Sequence, residues 1–491
     1  MFTSIKSACL DGVGCIPVQV ETSASTGLPQ ETIIGLPDMV VKESRSRIKS
    51  AIQLSDFRLP PMSYVINLTP TDVAKRNTSL ELAMCVALLA VTNQIRIKPT
   101  VCFIGCLSLD GRILPVRHIL PMVYHYPNRN TITFVISNDN LSDLAPITDI
   151  NIIPIHHLKD LHQFDALSAT KPTLVEPTFT QNSASYDHIH GHHLIKKACA
   201  YAIIGRHPLL LIGSPGIGKT MLIDHMASMM PPLDSNSAIE NTCIESLINP
   251  SPSYSAIPPF RAPHHSITFA GMLGGKNPPL PGEITRANHG ILFLDELGEY
   301  QRSILDMLRE PMETKSIRIS RAGHSLHYPA NFLLIAAMNP CYCGHYFDPD
   351  IICLCNPKKI KQYWQKLSRP LLDRISMCCL LSKPKKDHPS ISHQTLLQMV
   401  QTGKQRMKNR NPHGIDNHAL TQQEFHQHAT ISNAALQAFH SHFEVTHTSL
   451  RGQLRMMKLS LTIADAAGST NIELQHALEA IQLSQHHLLP A

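Results

Sequence analysis

Three runs are apolar at nearly every position: Leu209–Gly213 (LLLIG), Ile291–Leu294 (ILFL) and 332–338 (FLLIAAM). That pattern predicts strands buried in a parallel sheet. Shorter strand-like runs at 16–20 (IPVQV) and 64–68 (YVINL) alternate with helical patterns over 40–54 and 80–90, which predicts a mixed α/β N-terminal domain over 1–165. Residues 166–185 are rich in Ser, Thr and Pro without apolar periodicity and read as a linker. A helical pattern at 194–204 leads into a second α/β block, 186–385. From about 390 the pattern is helical, with polar or His-rich breaks at 409–418 and 425–430, so 386–491 is a helical domain. No internal repeat is visible.

The strand at 209–213 opens into GSPGIGKT, Gly213, Ser214, Pro215, Gly216, Ile217, Gly218, Lys219 and Thr220, with Met221 next. Glycines at this spacing let backbone N–H groups curl around phosphate oxygens, and the following helix, expected over 221–229, adds its N-terminal dipole. Lys219 would reach the β- and γ-phosphates and Thr220 would ligate Mg²⁺. The strand at 291–294 delivers Asp295 to the metal, with Glu296 beside it to orient and deprotonate water. The strand at 332–338 ends at Asn339. Parallel strands present their C-terminal ends to a nucleotide, so Asn339 should sit by the γ-phosphate. These residues predict an ATPase.

Residues 250–281 contain eight prolines, which excludes one continuous helix. This is an insertion of loops, and Lys276 on its Gly-rich turn is a candidate substrate contact; a surface loop is the alternative.

Composition changes the picture in three places. The chain has 491 residues, 43% hydrophobic and 16% charged, with a net charge of +6, a balance that does not by itself imply nucleic acid. The charge is unevenly spread, with thirteen Lys/Arg against two acids over 358–410. Such a run is a solvated face or a polyanion contact. The N-terminus lacks an apolar core of signal-peptide length, and the longest apolar stretch, 83–91, is too short to span a bilayer. A cytoplasmic protein is expected, with its thirteen cysteines mostly reduced. Four of these, Cys341, Cys343, Cys353 and Cys355, fall within fifteen residues and suit a tetrahedral Zn²⁺ site, with His345 as a reserve ligand. The C-x-C spacing is tighter than the usual C-x₂₋₄-C, so reduced thiols on a loop remain the alternative.

Together, IIGLPDMVVKESRSRIKSAI (33–52), VINLTPTDV (65–73), the phosphate loop, PPFRAPHHSIT, PGEITRANHGILFLDEL, LREPMETKSIRISRAG (308–323), AAMNPCYCG, LSRPLLDRISM (367–377) and SLRGQLRMMKLSLTIADAAGS (449–469) resemble the ComM/YifB family of magnesium-chelatase-like AAA+ ATPases over almost the whole chain. The resemblance implies an AAA+ core with a pore-loop insertion and helical lid, in a hexameric ring with ATP sites between subunits. Arg374 then resembles the finger that reaches a neighbour's γ-phosphate. Arg451 resembles the lid arginine that senses nucleotide, with Arg455 the second choice. It further implies a DNA motor for branch migration in natural transformation, working beside recombination proteins. On that reading Lys358, Lys359 and Lys361 are candidate backbone contacts. Aromatics are scarce in this stretch, Tyr363 and Trp364 apart, so base stacking is not strongly supported.

The N-terminal domain resembles the ribosomal-S5-like fold shared with Lon-type proteases. Ser79 stands where the protease nucleophile would be, but Leu120 stands where its lysine is expected, and a serine without a base is a weak nucleophile. Competing functions are a chelatase-type remodelling ATPase and an ATP-dependent protease or chaperone.

Overall fold

The computed structural model describes the chain apart from residues 74, 76–77, 181–182, 276–279, 322–323, 349, 384–389 and 491, and apart from the side chains of 40, 321 and 324. Lys276 lies outside the described residues.

At the N-terminus, β1 (Phe2–Asp11) and β2 (Gly14–Ser25) form a long hairpin paired from Phe2–Ser23 to Asp11–Gly14. With β3 (Gln30–Ile34), β4 (Ser63–Thr69), β5 (Val101–Ile104), β6 (Thr133–Ser137) and β7 (Asn151–Ile155) they make a mixed sheet ordered β3-β4-β2-β1-β5-β6-β7. Helices α1 (Met39–Leu54) and α2 (Glu81–Val91) share its core. α2 is apolar on every side because it is covered on every side. Its one acid, Glu81, is buried and accepts from Ser44 Oγ (2.6 Å), Leu107 N (2.8 Å) and the Arg47 guanidinium, as a buried charge requires.

The second sheet is entirely parallel. Its strands are β8 (Leu209–Gly213), β9 (Phe260–Arg261), β10 (Ile291–Leu294), β13 (Leu333–Met338) and β14 (Met377–Leu381), ordered β9-β10-β13-β8-β14. Parallel neighbours need crossovers, and α4 (Lys219–Asp224) and α5 (Ser235–Ser246) belong to the one between β8 and β9, while α3 (His193–Gly205) leads into β8. The helix expected over 221–229 is shorter. α4 begins at Lys219 and tightens into a 3₁₀ turn at His225–Met229. Between β10 and β13 the chain also makes an antiparallel hairpin, β11 (Ser316–Arg321) and β12 (His324–Pro329).

The N-terminal unit and the unit of the parallel sheet are in contact. Gly12, at the β1–β2 turn, lies against Leu326–Tyr328 of the hairpin. Val13 joins the hydrophobic core of the parallel sheet, and Ile239 and Cys243 of α5 join that of the N-terminal unit. The stretch read as a linker is an extended strap. Thr170 exchanges two 2.8 Å backbone hydrogen bonds with Ile152, and Thr178 exchanges bonds with Tyr254 and Ala256.

Downstream come α6 (Pro357–Trp364), α7 (His393–Arg410), α8 (Asn433–Thr446), α9 (Leu450–Ala466) and α10 (Leu474–Leu483). Ser392, Ser432 and Ser449 cap α7, α8 and α9 by accepting from the N–H groups of Thr395, Ala435 and Gly452. α6 joins the core of the parallel sheet through Ile360, Tyr363 and Trp364, while α7, α8, α9 and α10 pack on α3 through one hydrophobic cluster. Inside it runs a polar chain. Asp465, fully buried, accepts from the Arg410 guanidinium (2.9 Å) and Asn417 Nδ2 (2.8 Å). Asn417 also donates to Thr462 Oγ1 (2.9 Å), which lies 2.7 Å from His207 Nε2, two residues before β8. Burial pushes the His207 imidazole well below its ordinary range, so this ring acts as a neutral link. Among the described residues no helix is long and apolar enough to cross a membrane.

Asp465→Ala leaves the Arg410 cation uncompensated inside the helical region. Urea denaturation should show a loss of about 3–5 kcal/mol, and an unchanged midpoint would show that the pair does not hold this region together.

Candidate nucleotide-hydrolysis site

Two registers build the site. β8 pairs with β13 so that Ile212 faces Met338, and β13 pairs with β10 so that Ala336 faces Leu294. All three strands run the same way, so Gly213, Asp295 and Asn339 emerge at one edge of the sheet. After Gly213 the loop turns through Gly216 (φ +74°) and Gly218 (φ +94°), backbone angles that glycine adopts without penalty. The turn starts α4 at Lys219 and leaves Met221 half-exposed.

Lys219 points back along its own loop. Its Nζ donates to the carbonyls of Gly213 (2.6 Å) and Ser214 (3.0 Å) and to Asn339 Oδ1 (3.0 Å). Burial lowers its pKa, and the Asp295 carboxylate pulls the other way. The Thr220 hydroxyl donates to Asp295 Oδ2 at 2.8 Å, while Asp295 Oδ1 accepts from the Glu296 N–H at 2.8 Å. A hydroxyl and a carboxylate oxygen side by side are hard donors that fit Mg²⁺, and the adjacent lysine supplies charge for phosphate.

Glu296 sits in the left-handed region (φ 50°), a strained conformation for a glutamate and one that gathers at functional sites. Its side chain is exposed, and its Oε2 lies 3.1 Å from His265 Nδ1. Sequence reasoning gave His265 no role, although it stands in the PPFRAPHHSIT motif. The insertion therefore brings a histidine to the candidate base. Tyr300 Oη donates to Pro263 O (2.5 Å), and Arg261 clamps Glu283 through two bonds (2.6 and 2.8 Å), fixing the base of the insertion.

The arginines form a separate group. Arg374 pairs with Glu313 at 2.7 Å and donates to Pro370 O at 2.6 Å. Arg451, exposed, lies 3.8 Å from the same Glu313 oxygen. Their common partner is outside the Lys219–Asp295 group. Arg455 instead donates to the carbonyls of Leu372 (3.3 Å) and Asp373, and burial lowers its pKa to about 10, so it holds the scaffold.

The basic stretch is not one face. Lys366 donates to Gly298 O, Lys404 pairs with Asp416, and Arg410 with Asp465. Lys358, Lys359 and Lys361 do share the exposed face of α6. The buried face of that helix holds Ile360, Tyr363 and Trp364, so neither aromatic is free to stack on bases.

The loop after Asn339 lies against the phosphate loop. Ser214 Oγ donates to Asp348 Oδ2 (3.1 Å), and a Cβ at Gly344 would overlap Pro215. His345 Nδ1 is 3.2 Å from Asp348, which engages the reserve ligand with that carboxylate. The sulfurs of Cys341, Cys343, Cys353 and Cys355 all lie within 4.8 Å of one another.

Comparison with known proteins agrees with this geometry. The family model described as magnesium chelatase, subunit ChlI, matches residues 185–388. Models of subunit ChlI of Mg-chelatase and of its C-terminal region match 20–140 and 391–484. The chain is 33% identical to the uncharacterized protein YifB of Escherichia coli over 96% of this chain and 94% of that protein. It is 31% identical to the competence protein ComM of Haemophilus influenzae over 96% and 95%. The magnesium-chelatase 38 kDa subunit of Cereibacter sphaeroides is 25% identical over only 27% of this chain and 45% of that subunit. A phosphate loop, an Asp–Glu pair and an asparagine at one parallel sheet edge, in a chain similar to these relatives from end to end, place it in the ComM/YifB family of magnesium-chelatase-like AAA+ ATPases.

Proposed function

We propose that this ATPase is a ring-shaped DNA motor, a homohexamer that drives branch migration of recombination intermediates in natural transformation, alongside recombination proteins. The observation that carries the reading is the meeting of Lys219, Thr220, Asp295 and Asn339 in a chain similar over nearly its full length to a competence protein.

In this mechanism Lys219 exchanges its loop carbonyls for β- and γ-phosphate oxygens, and backbone N–H groups of the loop cradle the rest. Thr220 and Asp295 would hold Mg²⁺, which when bound neutralises phosphate charge. Asn339 positions the attacking water and Glu296 takes its proton. His265 holds the Glu296 carboxylate in place and is a positioning residue. Arg374 acts in trans. It leaves Glu313 for the γ-phosphate of the neighbouring subunit, where an added cation stabilises the transferring group. Arg451 joins it through the same carboxylate and senses the nucleotide. DNA lies along α6, on Lys358, Lys359 and Lys361.

The N-terminal unit, which we assign to the S5-like fold, has no proteolytic part in this scheme. Ser79 is buried with its hydroxyl donating to Ala8 O (2.9 Å), and Leu120 is packed in the core. A chelatase-type remodelling ATPase is the second reading: the chelatase-subunit family models match 20–140, 185–388 and 391–484, while the similarity to the 38 kDa subunit spans only 27% of this chain.

The test is ATP turnover measured with and without single-stranded, duplex and branched DNA, alongside strand displacement. Branched DNA should raise turnover, and indifference to every DNA would refute the motor. Lys219→Ala should lose nucleotide binding, whereas Glu296→Gln should bind ATP and hydrolyse it about 10²–10⁴-fold more slowly. Equal turnover by Glu296→Gln and the unaltered protein would sink the assignment. Arg374→Ala should bind ATP and lose about 10³-fold or more in hydrolysis. Mixing it with Lys219→Ala protein should restore part of the rate, because mixed rings complete some interfaces. Normal turnover by pure Arg374→Ala protein would remove the finger. Reversing Lys358, Lys359 and Lys361 to Glu should flatten the salt dependence of DNA binding by up to about three units of slope. An unchanged slope would move the contact off α6.

A further inference from the structure

Residues 339–356 contain no helix or strand among the described residues, yet they carry Asn339 and press on the phosphate loop. A loop this long needs something to hold it. Its apolar side chains supply little of that: Phe347 packs partly on the core of the parallel sheet, but Ile352 is 85% exposed and Leu354 90% exposed. What converges inside it is sulfur. Cys341 Sγ lies 3.4 Å from Cys343 Sγ and 3.6 Å from Cys353 Sγ, and the latter two are 3.5 Å apart. Cys355 completes a set within 4.8 Å. A disulfide needs about 2.05 Å. Four thiolates about 2.3 Å from one zinc ion stand about 3.8 Å apart at the corners of a tetrahedron. The observed spacings match the second arrangement.

The backbone serves the same arrangement. Gly344 (φ +82°) turns the chain after Cys343, its N–H donating to Cys341 O at 3.0 Å. Cys353 and Cys355 come from a second pass, which Asn356 ends by capping α6. Trp364 of α6 reaches back to donate to Pro340 O at 2.9 Å. The knuckle is therefore anchored on α6 and lies on the phosphate loop at two points, Gly344 against Pro215 and Asp348 accepting from Ser214.

We propose that Cys341, Cys343, Cys353 and Cys355 bind one Zn²⁺ as a structural tetrathiolate centre, and that this centre holds the phosphate loop in its nucleotide-binding shape through Gly344 and Asp348. The second half rests on the ATP-site reading, and the first half does not. Zinc bound here takes no part in hydrolysis. It replaces a hydrophobic core for the loop, as metals do where little apolar surface can be buried.

The experiment uses full-length protein purified without a polyhistidine tag, under reducing conditions and with zinc in the medium. Elemental analysis should find about one zinc per chain. Cys353→Ser/Cys355→Ser should lose it, and Cys15→Ser/Cys106→Ser should keep it. Should the first variant fail to fold, titrating the unaltered protein with an organomercurial should release zinc in step with modification of about four thiols, and cobalt substitution should give a tetrahedral thiolate spectrum. Hydrogen exchange without ATP should quicken across 213–220 when zinc is removed. Asp348→Asn should keep the metal and bind a fluorescent ATP analogue about tenfold more weakly. Metal-free protein with all four thiols free, or zinc retained after the 353/355 change, overturns the site. Zinc release with unchanged exchange at 213–220 overturns the coupling. ATP binding plays no part in the zinc measurement, so failure of the ATPase reading is seen separately.

Discussion

Parallel pairing of β8 with β13 is the constraint on which the rest of the site depends. It sets Ile212 opposite Met338, and one step further along each strand the phosphate loop and Asn339 are neighbours. Lys219 then bridges them at 3.0 Å. β10 adds Asp295 from the other side of β13. A one-residue slip in either register would move every side chain of the strand to the opposite buried face, mispack both cores and separate the three chain ends. Burial of these strands on both faces thus brings Lys219, Asp295 and Asn339 to one edge of the sheet.

That part was legible because its physics is local. Apolar runs mark strands buried on both faces, and glycines two residues apart before a Lys-Thr pair mark a phosphate loop, so spacing singles out Lys219, Thr220, Asp295, Glu296 and Asn339, and the fold brings Lys219 to Asn339 and Thr220 to Asp295. Other features depend on which distant segment returns to meet a residue. His265 reaches Glu296 only because a proline-rich insertion folds back, and spacing carries no sign of that. The basic stretch misled for the same reason. Composition counts Lys404 and Arg410 as charges, but Asp416 and Asp465 neutralise them in the interior. Tyr363 and Trp364 are the stretch's only aromatics, and the helical period of α6 turns them inward beside Ile360, in keeping with the weak support for base stacking. The hairpin β11–β12 pairs locally, and the alternation of Ile317 and Ile319 with Leu326 and Tyr328 carries its signal, whereas its contact with the β1–β2 turn leaves no trace in spacing.

Two further devices secure the nucleotide edge. The helical region is tied to the foot of β8 through Asp465, Asn417, Thr462 and His207, a chain of buried polar groups whose members all have partners. Buried networks of this kind are costly to leave half made and so fix one arrangement. At the opposite end of β8, the cysteine knuckle bears on Pro215 and Ser214. The strand is thus held at both ends, while Glu296, exposed and in the left-handed region, has His265 at its carboxylate.

The most direct test is the structure of the Glu296→Gln protein trapped with ATP, Mg²⁺ and branched DNA, determined by electron cryo-microscopy. The account predicts a closed ring with each γ-phosphate touching Lys219 and Asn339 of one subunit and Arg374 of its neighbour. A γ-phosphate bound away from Lys219, or Arg374 still paired with Glu313 in every subunit, would contradict it.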